Sequence, residues 1–259
     1  MPRLTPLLYP LISLALLILA WDQAVRWLSI SDYLLPAPLS VYHSLAAGFA
    51  DGTLWPHIAT TLLETLSGYL IGSVLAIGLG ALLAESRTFE RFVYPLLIGL
   101  QATPKVALGP LILVWFGFGI ASKVVLVTLV CFFPLFVNTV NGIRRTDPEL
   151  LDACRAFSAS RWYLLVHVKF PAAAGEVFAG LQIGISLALI GAVVAEFLSS
   201  QSGLGYLIAS SSVSMNMATM FSGLILLALI GLCGAQGVRA IQHRVIFWEP
   251  GAARRQRND

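Results

Sequence analysis

Six long apolar stretches, parted by short polar ones, set the pattern of this chain: residues 7–28, 62–84, 94–118, 123–140, 177–198 and 216–238. Each is close to the ~20 residues that a helix needs to cross a hydrocarbon layer of ~30 Å. None alternates strictly between apolar and polar positions, as the strands of a membrane barrel would, and a backbone in lipid must satisfy its own hydrogen bonds. The pattern predicts an all-α polytopic membrane protein with six transmembrane helices. The third stretch is interrupted by Pro95, Pro104 and Pro110, with Lys105 beside the middle proline. Two readings stand for it. Either a bent span lines a watery or protein-filled cavity, which puts Gln101, Thr103 and Lys105 on a translocation path, or 94–102 is an interfacial helix and Lys105 reaches back to the membrane surface.

A polar, basic segment separates the fourth and fifth stretches. Asp147-Pro148-Glu149 reads as a helix start, with Asp147 as N-cap, Pro148 at the first helical position and Glu149 facing the positive end of the macrodipole. Leu150, Leu151, Ala153, Cys154 and Phe157 recur at helical spacing over about three turns, until Ser158-Ala159-Ser160 breaks the helix and caps a second one. Pro171 should stop that second helix. Two short helices at a sharp bend make a knob that can enter a groove on another protein.

Composition agrees with the environment. Of 259 residues 58% are hydrophobic and 11% charged, with a mean hydropathy of +0.83, far from the quarter charged of a soluble domain. Arg87 and Arg91, then Arg144, Arg145, Arg155, Arg161 and Lys169, then Arg239, Arg244, Arg254, Arg255 and Arg257 fall in segments that share one side of a six-span topology. The other side holds Arg26, Lys123 at a span edge and no basic residue over 199–215. The excess of basic residues marks the cytoplasmic side, so both termini and the knob are expected there. The net charge of +3 reflects this topology and points to no nucleic acid. Met1-Pro2-Arg3 could open a secretory signal, but no small-residue cleavage site follows, and Asp22 and Arg26 stand at helical i,i+4 spacing, so an uncleaved first span is expected.

Acidic residues in apolar spans need a reason, at ~2.5–3.5 kcal/mol each on insertion scales. Glu176 lies near the cytoplasmic edge; Glu64 and Glu196 lie near the outer ends of the second and fifth spans, where a hydrogen bond to a neighbouring helix competes with a substrate or gate contact. Gly68 with Gly72, and Gly78 with Gly80, allow close helix approach. Cys131, Cys154 and Cys233 have neither disulfide context nor metal spacing, and His43, His57, His167 and His243 form no ligand set. No convergent catalytic constellation is visible. The segment 199–214 is rich in Ser and Gly, and its apolar piece is too short to span; Gly203-Leu204-Gly205 is expected to form a re-entrant turn that seals the path or receives a partner.

The knob also carries a family resemblance. Asp152-Ala153-Cys154-x3-Ser158-x9-Val168-Lys169-Phe170-Pro171 resembles the EAA motif, Glu-Ala-Ala-x3-Gly-x9-Ile-x-Leu-Pro, by which permease subunits of ATP-binding-cassette (ABC) importers dock on their ATPases. Ala153 and Pro171 agree outright; the other positions keep charge sign or apolar character, except that Ser158 stands for Gly. Phe178-Ala179-Gly180-Leu181, 191–197, Ser202-Gly203-Leu204-Gly205-Tyr206-Leu207, Pro104-Lys105-x3-Gly109-Pro110-Leu111 and Phe132-Phe133-Pro134 are similar to the branch of nitrate, sulfonate, taurine and thiamine-precursor permeases. Glu64 departs from it, where that branch often has Arg.

The resemblance implies a type I importer permease (MetI-like) fold and an ATP-driven importer working by alternating access, for a small anionic or heterocyclic solute. It implies ATPase coupling through Glu149, Asp152, Ala153, Cys154, Phe157, Ser158 and Pro171. Gln101, Thr103, Lys105 and Glu196 are the path candidates, and Gly203, Leu204 and Gly205 the outer gate. The expected partners are a second permease copy, two cytoplasmic ATPase subunits that bind the ATP, an external solute-binding protein and membrane lipid, with no cofactor or metal on this chain, which is expected not to be an enzyme. The expected organisation is 1–55 as first helix and outer loop, 56–245 as transmembrane core with the coupling hairpin at 144–171, and 246–259 as cytoplasmic tail. An ion-coupled secondary transporter is the alternative, although no internal repeat is visible.

Overall fold

A computed structural model of the chain describes residues 5–248, and every element among them is helical. In order these are α1 (Thr5–Trp27), α2 (Pro38–Ala50), α3 (Leu54–Glu85), α4 (Arg87–Ala102), a 3-10 turn (Lys105–Leu108), α5 (Gly109–Phe116), α6 (Ile120–Arg144), α7 (Pro148–Ala156), α8 (Arg161–Leu164), a π turn (Leu165–Lys169), α9 (Phe170–Ser199), α10 (Leu204–Val213) and α11 (Met217–Val245). Among the described residues, α3, α6, the continuous run Arg161–Ser199 and α11 are long and apolar enough to cross a membrane unaided.

The expected count of six spans is not matched exactly, and the break expected in the third is present. The third is two helices, α4 and α5, bent by 90°, so the count is four, or five with the bent pair taken as one; the first expected stretch coincides with the 23-residue α1. The bend has a local cause. Pro104 disfavours helical backbone at Thr103 and has no N–H to donate, and Pro110 restarts the helix in the first turn of α5. Pro95, by contrast, stays inside α4.

The helices pack as two units. The first holds, among the described residues, 5–61 and 200–228, with Val41, Leu54, Leu204, Ile208 and Leu226 buried within the chain. Among its polar contacts, Ser44 Oγ lies 3.1 Å from Thr219 Oγ1, and Ser222 donates to the Ala218 carbonyl at 2.8 Å. The Asp22–Arg26 pair expected from its spacing forms at 2.8 Å.

The second unit holds, among the described residues, 62–199 and 229–248, and it is built on small residues. On α3, Gly68, Gly72 and Gly80 recur at multiples of four; a Cβ there would come within 2.5 Å of Val127, 2.7 Å of the Cys131 sulfur and 3.0 Å of Thr139, all on α6. Gly180 and Gly191 of α9 lie as close to α6, where added Cβ atoms would meet Leu135 Cα at 3.0 Å and Val127 Cα at 3.2 Å. Backbones can approach this closely only where side chains are absent, and lipid offers no hydrophobic drive to replace that packing. Gly78, paired with Gly80 in the sequence reading, faces open space instead. The core between the helices is aromatic and aliphatic, with Leu83, Phe132, Phe133, Leu135, Phe136, Val140, Ile143 and Val177 buried. The expected division at 55/56 cuts through α3, and the tail 249–259 lies outside the described residues.

Candidate coupling hairpin and intramembrane sites

The knob folds from its own sequence. Asp147 accepts the Glu149 N–H at 2.9 Å, Pro148 opens α7, and the helix ends after nine residues, a little short of the expected three turns. Ser158 then adopts φ +63°, the left-handed conformation that reverses the chain. Ser160 caps α8 through the Tyr163 N–H at 3.2 Å. Glu149, Asp152, Ala153, Phe157 and Ser158 are all exposed and Cys154 is half-buried; Phe157, at the C-cap of α7, is 89% exposed. All six lie on α7 or in the bend that ends it, the expected tip of the hairpin.

Pro171 does not belong to that tip. The second helix was expected to stop before it, yet α8 runs through the π turn directly into α9, with Pro171 in the first turn. A proline ring strikes the carbonyl four residues back in a regular helix; the wider π turn just ahead of it relieves the crowding and lets the chain continue.

Three ion pairs clamp the base of the hairpin. Arg144 meets Glu90 of α4 at 2.7 Å and Arg145 meets Glu176 of α9 at 2.6 Å, while Lys169 pairs with Glu85 at the end of α3. Each exposed pair is worth at most ~1 kcal/mol, but together they tie α3, α4, α6 and α9 around one point. Replacing Ser158 by Gly removes the steric cost of φ +63°, on the order of 1 kcal/mol. We expect that variant to insert and transport like the parent and to unfold slightly later in detergent; a strong loss of transport would mean that the hydroxyl itself contacts the ATPase.

The path candidates separate into two places. At the α4–α5 break, Thr103 Oγ1 donates to the Gly99 carbonyl at 3.1 Å and Lys105 Nζ to the Gln101 carbonyl at 3.1 Å. The Lys105 ammonium also lies 4.6 Å from the centre of the Phe133 ring. Lysine thus satisfies a carbonyl that the broken helix leaves open, and its charge is held by a ring face. Glu196 lies elsewhere, almost fully buried with Glu64. Lys123 Nζ stands 2.7 Å from Glu64 Oε1, with both side chains buried, and the Glu196 carboxyl neighbours that of Glu64. One ammonium and two carboxyls therefore meet where α3, α6 and α9 converge. Sequence reading placed Lys123 merely at a span edge; the usable signal was that opposite charges near the same ends of two spans need partners.

At the outer gate candidates, Gly203 makes the turn, with φ +112°, and Leu204 and Gly205 open the ten-residue α10. Leu204 is fully buried.

The family model for the binding-protein-dependent transport system inner membrane component matches residues 68–247. A "Probable ABC transporter permease protein" of Haemophilus influenzae is 36% identical over 93% of this chain and 98% of its own. A riboflavin transport system permease protein of Chloroflexus aurantiacus is 35% identical over 92% of this chain and 89% of its own, and a taurine transport system permease protein of Escherichia coli is 29% identical over 91% and 88%. Among solved structures, an inward-facing form of the MetNI methionine ABC transporter superposes with a TM-score of 0.61 at 19% identity, covering 73% of this chain and 98% of that one. With its helical membrane fold, its EAA-like hairpin and this match over most of its length, the chain belongs to the family of binding-protein-dependent transport system inner membrane components, as a multi-pass permease subunit of an ABC transporter.

Proposed function

We propose that the chain moves a small anionic or heterocyclic solute inward across the bacterial inner membrane by alternating access, as one half of a path completed by a second, identical copy. In this reading the hairpin and both termini are cytoplasmic, and Gly203-Leu204-Gly205 lies at the outer gate where a solute-binding protein delivers its cargo. Each permease docks one ATPase subunit, which binds and hydrolyses ATP, so this chain needs no cofactor of its own. The observation that carries the reading is the tip of α7: a capped helix on an ion-clamped base that holds the Phe157 ring out in solvent, 89% exposed. Such a ring is stabilised by about 1.5–3 kcal/mol on burial in a partner's groove. Riboflavin and taurine, named for two relatives, support a heterocyclic or sulfonate-like solute.

The test is reconstitution in proteoliposomes with a partner ATPase and solute-binding protein, followed by uptake of labelled taurine, an alkanesulfonate, nitrate, riboflavin and a thiamine-precursor pyrimidine. We expect uptake of one of these classes, dependent on both ATP and the binding protein. Uptake driven by an ion gradient without ATP would establish the secondary-transport alternative instead.

A further inference from the structure

We infer that α3 supplies the N-terminal cap of α10 from outside that helix, which makes His57, Thr60 and Thr61 the positioning residues of the outer gate; this rests on the gate assignment proposed above. A helix leaves its first backbone N–H groups without partners, and the residue before it usually satisfies one with a side-chain oxygen. At α10 that residue is Gly203, which has no side chain, and no side chain of its own segment caps the helix. Glycine is required there because the backbone turns through φ +112°. The cap comes from a residue 146 positions away: the Gly203 N–H donates to His57 Nδ1 at 3.1 Å. The next N–H, of buried Leu204, donates to Thr61 Oγ1 at 2.8 Å. Thr60 Oγ1 donates to Ser202 Oγ at 3.2 Å, and the His57 ring stacks on Tyr206, the third residue of α10, at 6.1 Å.

Residues 57, 60 and 61 stand at i, i+3 and i+4, so they form one face of the first turns of α3. The turn is therefore held by a single rigid element. His57 Nδ1 lies 3.0 Å from the Gly203 carbonyl as well as 3.1 Å from its N–H. The cap uses the ring tautomer that carries its proton on Nε2, which leaves Nδ1 free to accept the Gly203 N–H. A rotation or slide of α3 withdraws both acceptors at once and leaves the start of α10 uncapped.

The test uses the full-length permease assembled with its ATPase and binding protein in lipid. Hydrogen exchange of the peptide spanning 200–207 is measured together with initial uptake of the solute identified by reconstitution. In Thr61→Val and in His57→Leu, exchange at Gly203 and Leu204 should rise roughly tenfold, the effect of losing one buried hydrogen bond, and uptake should fall. Thr61→Ser and His57→Asn, which keep an acceptor in place, should restore both readings. Unchanged exchange in Thr61→Val and His57→Leu overturns the cap, whatever uptake does. Equally fast exchange in Thr61→Ser and Thr61→Val also overturns it, because packing rather than the hydroxyl would then hold the turn. Faster exchange with full uptake upholds the cap and overturns the gate assignment on which its functional meaning rests.

Discussion

Replacing Lys123 by Met should cost this protein more stability than any other single change in its membrane core. The substitution leaves the Glu64 and Glu196 carboxyls buried together without the ammonium that stands 2.7 Å from Glu64. Breaking a buried ion pair from one side costs about 3–5 kcal/mol, because the remaining charge stays desolvated and unpaired. Glu64→Gln should be much milder, since an amide still bonds to the lysine and Glu196 remains to balance its charge. The double variant Lys123→Met with Glu64→Gln should recover a good part of the loss. Thermal unfolding of the four purified proteins in detergent checks the ranking. A Lys123→Met protein as stable as the parent, or a double variant worse than the sum of the singles, would show that the cluster is not held by this pair.

The second large effect is expected at the tip of the hairpin. Ala153 is exposed on α7, four residues before the protruding Phe157. Arginine there adds a long charged side chain where the proposed partner must approach closely, and a desolvated charge without a counter-ion opposes docking. Ala153→Arg should abolish uptake and co-purification of the ATPase, while the amount of permease in the membrane stays unchanged because the residue touches no packed helix face. Normal co-purification and transport in that variant would remove the hairpin from the coupling role.

These two predictions differ in how readable their sites were. The hairpin was legible almost residue by residue: the Asp147 cap, the proline start, the bend at Ser158 and the Ser160 cap all depend on contacts within three residues. Local rules failed only at Pro171, where they called for a stop. There the long apolar run 165–199 gains more from continuing as one helix than the proline costs, and the π turn absorbs the crowding. The third span was legible as a doubtful one, since its prolines announced a break, but the partners of Lys105 were not.

The buried cluster and the cap of α10 could not be read in this way. Glu64 and Lys123 are 59 residues apart and His57 and Gly203 are 146 apart, so no periodicity joins them. Which faces meet depends on the rotation and register of whole helices. Here the register of α3 on α6 follows from Gly68, Gly72 and Gly80 seating against Val127, Cys131 and Thr139, and the pairing of Glu64 with Lys123 is a consequence of that fit.

By itself, the sequence determined that the chain is a helical membrane protein, where most of its long helices run, and that a capped polar knob stands between two of them. Apolar run length and capping chemistry act over a turn or two and need no partner to be decided. Only the tertiary structure decided that the third span is two helices meeting at 90°, that three ionisable groups share one buried site, and that the turn at Gly203 takes its cap from α3. Those outcomes depend on surfaces brought together by packing, and close backbone approach between helices is a property of the fold rather than of any segment.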